Sequence, residues 1–191
     1  MKWSLLLALI ASPLMAEDLP VLAAPDFRLP LDASWKIAQG SYEPKDGVLV
    51  CAEKPENKHV AVLWHQVGWN TGVLECEFRL DGSKSFIVGC DGNTPEGLRH
   101  VGRFSLSPKQ ISIAEDSVKP SHILVKQAVD LKSGVWHKLR FEWKGDQISI
   151  QLNDQTLQAQ HAFLAMPKTR SWIAVGGQTA SIRALKISGK P

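Results

Sequence analysis

The sequence predicts an all-β chain built as two antiparallel sheets packed face to face. Three observations carry this expectation. Apolar residues recur with period two along most of the chain, turn-forming residues separate the runs, and no segment sustains an apolar helical face over three turns. The run from Val73 to Asp81 shows the pattern, with Leu74, Cys76, Phe78 and Leu80 on one side and Glu75, Glu77, Arg79 and Asp81 on the other. Successive side chains of a strand point to opposite faces, so this run reads as a half-buried strand.

Residues 1–16 stand apart. "MKWSLLLALIASPLMA" carries one charge, an apolar run from Leu5 to Ala11, and a closing Pro13 and Ala16, the layout of a secretory signal peptide. That run is far shorter than the roughly 20 residues a membrane helix needs, so no stable membrane insertion is expected. A secreted or periplasmic chain of residues 17–191 follows, a length suited to one domain. The net charge of +3 becomes +2 when Lys2 leaves, and Lys/Arg residues do not cluster, which argues against a nucleic-acid partner.

Within that chain, strands are expected at 35–39, 47–51, 59–66, 123–129, 171–176 and 181–187. An Asp46-Gly47 turn separates the first two, and Gly176-Gly177 the last two. In 59–66, alternation groups Val60, Val62 and Trp64, a row assigned to the inter-sheet core; Trp69, in the Gly68 to Gly72 turn, is the candidate exposed stacking surface. A hairpin turning at Gly82-Ser83-Lys84 would oppose Phe78 to Val88 and Cys76 to Cys90. That register permits a Cys76 to Cys90 disulfide, with three buried thiols as the alternative and Cys51 as the odd one. Further hairpins turn at Ser107-Pro108-Lys109 and Lys144-Gly145-Asp146, and at most one helical turn is expected, near 161–166.

"DASWKIAQGSYEPKDGVLV", "GVLECEFRLDG", "SGVWHKLRFEWKGDQISIQLND" and "TASIRALKIS" resemble the concanavalin A-like jelly-roll domains of the 3-keto-disaccharide hydrolase type. Laminin-G-like modules and family-16 glycoside hydrolases are more distant relatives. The resemblance spans about residues 26–188. It implies a single jelly-roll domain over 17–191, a glycan or oligosaccharide partner, and hydrolysis of a 3-keto or related disaccharide.

Glu75 and Glu77 are the candidate catalytic pair. Two positions apart on one strand face, their carboxylates would lie about 5–9 Å apart, the range in which glycosidases work. Where family-16 relatives carry a further acid this chain has Arg79 or Leu80, and a neighbouring Arg79 favours ionised carboxylates over a proton donor. The competing reading is a cross-strand ladder of ion pairs. Trp69, Arg79, Arg99, His100 and Arg103 are the candidate substrate-binding residues, with alternation placing His100 beside Phe104 and Arg99 beside Arg103. His59, His65, His122, His137 and His161 have no evident Ser or Cys partner, and Gly-x-Ser-x-Gly is absent. No Cys-x-x-Cys or clustered histidine occurs, and Asp91, Asn93 and Glu96 read as a turn, so neither metal nor cofactor is expected. Three functional classes follow: an exported glycan-active hydrolase, a non-catalytic carbohydrate-binding or adhesion module, and a structural domain that docks a protein partner.

Overall fold

A computed structural model describes residues 19–66 and 68–190. The expected signal peptide at 1–16 lies outside the described residues. All strand pairings are antiparallel, and two long strands organise them: β6 (Thr71–Thr94) and β13 (Lys168–Lys190), hydrogen-bonded to each other along their length. The remaining strands are β1 (Val21–Ala23), β2 (Trp35–Gln39), β3 (Ser41–Lys45), β4 (Val48–Ala52), β5 (Ala61–His65), β7 (Gly97–Ser107), β8 (Gln110–Glu115), β9 (His122–Ala128), β10 (Trp136–Lys144), β11 (Gln147–Leu152) and β12 (Gln155–Gln160).

Each half of the long pair builds one sheet. The first half of β6 pairs with β10, which continues to β11 and β12, while the second half of β13 carries β4, β3 and β1. The second half of β6 pairs with β7, then β8 and β9, and the first half of β13 carries β5 and β2. Phe78 and Phe86 show that β6 doubles over between them: their rings stack at 4.7 Å and 15°. Eight extended residues would separate them by about 26 Å. Between them the pairing slips at Gly82 and Gly177, both with positive φ, +89° and +95°. The fold is therefore the expected jelly-roll sandwich, with Leu74, Phe78 and Leu80 of one sheet meeting Phe86, Val88 and Phe104 of the other in a shared core.

This bend corrects the hairpin expected at Gly82-Ser83-Lys84. β6 crosses from sheet to sheet without a hairpin, so Cys76 and Cys90 lie in opposite layers, and both are free, buried thiols like Cys51. Burial, with the Glu77 charge adding to it, pushes the Cys76 thiol up to about 12, so it is not a nucleophile at neutral pH. A hairpin and a folded-over strand have the same alternation and the same central glycine, which is why the sequence alone favours the commoner device.

Both indoles of the 60–72 segment are placed opposite to expectation. Trp69 is 1% exposed and meets Trp143 edge-on at 6.3 Å. Gly72 makes room for it, since a Cβ there would lie 2.3 Å from the indole. On β5 it is Ala61, Leu63 and His65 that face inward, leaving Trp64 on the outer surface of the second sheet. Residues 60–64 are apolar at both parities, so alternation could not choose a side. The expected helical turn is the 3-10 helix Ala162–Ala165, whose Leu164 closes one end of the core.

The bend yields a stability prediction. A Cβ on Gly177 would stand 2.9 Å from the backbone nitrogen of Lys84, at a φ that L-residues rarely adopt. Gly177→Ala should cost about 1–3 kcal/mol, read as a lower urea midpoint at unchanged slope. An unchanged midpoint contradicts the pivot role.

Candidate functional site

The outer face of the second sheet carries a cavity of about 650 Å3, and a hollow of about 510 Å3 adjoins it; His100 and Arg170 line both. The strand register builds this surface as rows. Lys36 on β2 pairs with Trp64 on β5, Trp64 with Trp172 on β13, Trp172 with Gly89 on β6, and Gly89 with Arg103 on β7. The neighbouring row runs from Arg170 through Asp91 to His100.

Asp91 holds the second row together. Its side chain is 1% exposed and accepts three hydrogen bonds, from Arg170 Nε at 2.6 Å, Trp172 Nε1 at 2.8 Å and His100 Nδ1 at 2.6 Å. Burial alone would raise the Asp91 carboxyl, but the hydrogen bonds and charges of His100 and Arg170 outweigh it and keep it below the ordinary carboxylate value. Arg170, latched by its Nε, lays its guanidinium over Trp64 at 3.6 Å, and Lys36 Nζ reaches within 5.5 Å of the same ring. Trp172 lies over Gly89, where a Cβ would be 2.3 Å from the indole. On the far side, Arg103 pairs with Asp116 and donates to Ser121 Oγ at 2.7 Å.

A bulge explains why His100 and Arg103 meet here. Cys90 pairs with Gly102 but Asp91 with His100, so Val101 is an extra residue on β7. Alternation expected His100 to side with Phe104; the insertion flips it to the face of Arg103, where its side chain is 56% exposed. Arg99 lines the adjoining hollow with Lys119 and Asp116. The structure therefore gathers Arg99, His100 and Arg103 into one region.

Glu75, Glu77 and Arg79 are elsewhere, on the outer face of the first sheet. Glu75 accepts from Arg140 Nη1 at 2.8 Å and pairs with Lys186 Nζ at 2.9 Å, and Glu77 accepts from Arg183 Nε at 2.6 Å. Arg79 donates to Asp81 at 2.7 Å and, like Arg183, stacks on Trp136. Partial burial raises the Glu75 carboxyl, but hydrogen bonds from Lys186 and Arg140 overturn that and lower it. This is the ion-pair ladder that competed with the catalytic reading, and it separates Glu75 and Glu77 from the cavity by the thickness of the core. Trp69, a candidate for stacking, is buried and reaches no ligand surface. Asp91 binds side chains of its own sheet, and Thr94 to Gly97 closes an ordinary turn.

Trp64, Asp91, Arg170 and Trp172 are the cavity residues that sequence reasoning missed or assigned elsewhere. Arg170 and Trp172 share a face by alternation in "TRSWIAV", so part of the signal was present. What the sequence does not disclose is that the opposite parity of β5 faces outward beside them.

No protein-family profile and no curated protein sequence matches this chain. Solved structures do. A carbohydrate binding module, CBM66 from Bacillus subtilis, superposes with a TM-score of 0.65 at 10% identity, covering 82% of this chain and 96% of that one. A Bacillus subtilis protein with a galectin-like fold gives 0.66 at 10% identity, over 88% and 96%. A non-specific endo-beta-1,3(4)-glucanase from family GH16 gives 0.63 at 12% identity, over 91% and 92%. The chain thus has the concanavalin A-like jelly-roll fold.

The Asp91 latch is testable through stability. Asp91→Asn should cost about 3–5 kcal/mol, because it leaves Arg170 without its buried counter-charge. In the unsubstituted chain the contribution of ionised Asp91 is complete above the unfolded-state value near pH 3.9 and is lost as pH falls through the lowered folded-state value. Urea titrations from pH 7 to pH 2 check this: an Asp91→Asn chain with unchanged stability at pH 7 contradicts the latch.

Proposed function

We propose that this chain is an exported carbohydrate-binding domain that holds a carboxylate-bearing glycan on the outer face of its second sheet. The observation that carries the reading is the Arg170 guanidinium fixed over Trp64 by Asp91 inside a cavity with excess positive charge. Lys36, Arg99, Arg103, Lys119 and Arg170 line the two joined hollows against Asp91 and Asp116, five cations to two carboxylates. The Trp64 ring supports the Arg170 guanidinium in place, and guanidinium forks pair with carboxylates. The fold is one that carbohydrate-binding modules and glycan-acting enzymes use. Both cavity carboxylates are bonded to arginines, an arrangement suited to positioning cations and not to the acid and base of a two-carboxylate glycosidase.

A second reading, turnover, rests on one feature. His100 is bonded through Nδ1 to the buried Asp91, an orienting partner behind an exposed imidazole, and its Nε2 has no hydrogen bond among the described residues. That is the geometry of a general base. Hydrolysis of a 3-keto disaccharide, which the sequence resemblance implies, belongs to this reading, with His100 and not Glu75 or Glu77 as the proton acceptor.

Calorimetric titration with an oligouronate and a neutral oligosaccharide of equal length separates the cases. The oligouronate should bind more tightly, the preference should shrink as salt rises, and Trp64→Ala should weaken binding about tenfold. Glu75→Gln should leave it unchanged. Equal binding of the neutral sugar, or indifference to Trp64→Ala, overturns the acidic-glycan reading. Product formation from a 3-keto glucoside that is lost in His100→Ala establishes turnover. If no glycan binds at all, a partner-docking role takes the place of both.

A further inference from the structure

At the end of the sandwich closed by the 3-10 helix, an acid occupies an inward position. Ile111 and Ile113 of β8 point into the core, and Glu115 is the next residue of that parity, 1% exposed. The nearby pairing slip skips Leu124 on β9, so the alternation of β8 is undisturbed. Glu115 Oε2 accepts the backbone N–H of Ser117 at 2.7 Å, and Oε1 has only His122 Nδ1, at 3.3 Å. A carboxylate offers about four acceptor sites, and an ionised one buried with so few donors is costly unless a cation completes it.

Two imidazoles flank this carboxylate. His122 is the register partner of Glu115 across β8 and β9, and His161 caps the 3-10 helix with its Nδ1 3.9 Å from Glu115 Oε2. The rings stand perpendicular, 5.9 Å between centroids, and the three residues offer ligand atoms that all lie within 4.8 Å of one another.

We propose that Glu115, His122 and His161 form a binding site for one divalent transition-metal ion of the zinc class. Two imidazoles and a carboxylate are the donor set of borderline ions, whereas calcium and magnesium require oxygen. Donors on a tetrahedral zinc stand about 3.3 Å apart. The two histidines, 56% and 36% exposed in their side chains, can close the remaining distance by rotation onto the fixed carboxylate. His161 Nδ1, the nitrogen that stands 3.9 Å from Glu115 Oε2, has a lone pair that the Phe163 N–H engages at 3.3 Å and that an ion can take over, leaving the ring proton on Nε2, and the Ser117 N–H orients Glu115 from behind. The three ligands come from two strands and a helix cap, so no compact spacing announces them, and the expectation that no metal binds rested on spacing alone. The inference is independent of the glycan reading.

The test is calorimetric titration of the full, chelator-treated chain with zinc chloride, followed by cobalt(II) substitution and its visible absorption spectrum. One zinc per chain is expected. His122→Ala, at an exposed position, and His161→Ala, at a half-buried one, both checked for folding by circular dichroism, should each weaken it about tenfold or more, while His59→Ala should not. Absence of zinc uptake at about 100 µM, an affinity weaker than about 5.5 kcal/mol, overturns the proposal. So does zinc binding that neither cluster variant alters.

Discussion

The pairing of β6 with β13 through the bend at Gly82 and Gly177 is the constraint on which the rest of this molecule depends. Two strands that remain hydrogen-bonded while they change layers supply the centre of both sheets, and every other strand adds to one of their flanks. The bend sets the core by bringing Phe78 onto Phe86. It also sets the site. Because β13 crosses at Gly177, its first half turns Arg170 and Trp172 toward one face, while its second half sends Arg183 and Lys186 to the ladder on the other. One strand thus carries cations to two faces with different tasks.

Those tasks differ in electrostatic balance. On the first sheet, Glu75, Glu77, Asp81 and Glu142 meet Arg79, Arg140, Arg183 and Lys186, four carboxylates to four cations, in a partly solvated ladder where each exposed pair is worth no more than about 1 kcal/mol. On the second sheet the buried Asp91 orders three side chains from two neighbouring strands and fixes the Arg170 guanidinium on the Trp64 indole. Carboxylates are plentiful in the first arrangement and scarce in the second. A negatively charged ligand is therefore favoured at the second surface and has no excess of free cations to bind at the first.

Alternation along single strands was enough to read the sandwich, the inward row of Leu74, Phe78 and Leu80, and the outward ladder of Glu75 and Glu77. It failed where a local irregularity reset parity, or where both parities were apolar. Val101 is one inserted residue, and it moved His100 to the face of Arg103. On β5 the choice between Trp64 and Leu63 was made by packing against β2 and β13, where His65 sits against Trp35 at 4.6 Å. Trp69 lay in an apparent turn, a position that ordinarily faces solvent, but Gly72 and Gly189 open a recess that an indole fills. Bulges and recesses are long-range agreements between strands, and no window of one strand contains them. Arg99, His100 and Arg103 were found as residues; their common surface was a property of the sheet.

The segment 116–121 joins the cavity to the histidine cluster. It leaves β8 at Glu115, returns at His122, and on the way presents Asp116 and Ser121 to Arg103 and Ser117 to Glu115. One short connection thus holds both a cavity guanidinium and the buried carboxylate of the His122 and His161 cluster. Because Asp116 and Glu115 are adjacent, the backbone course that hands Asp116 to Arg103 is the one that leaves Glu115 turned inward.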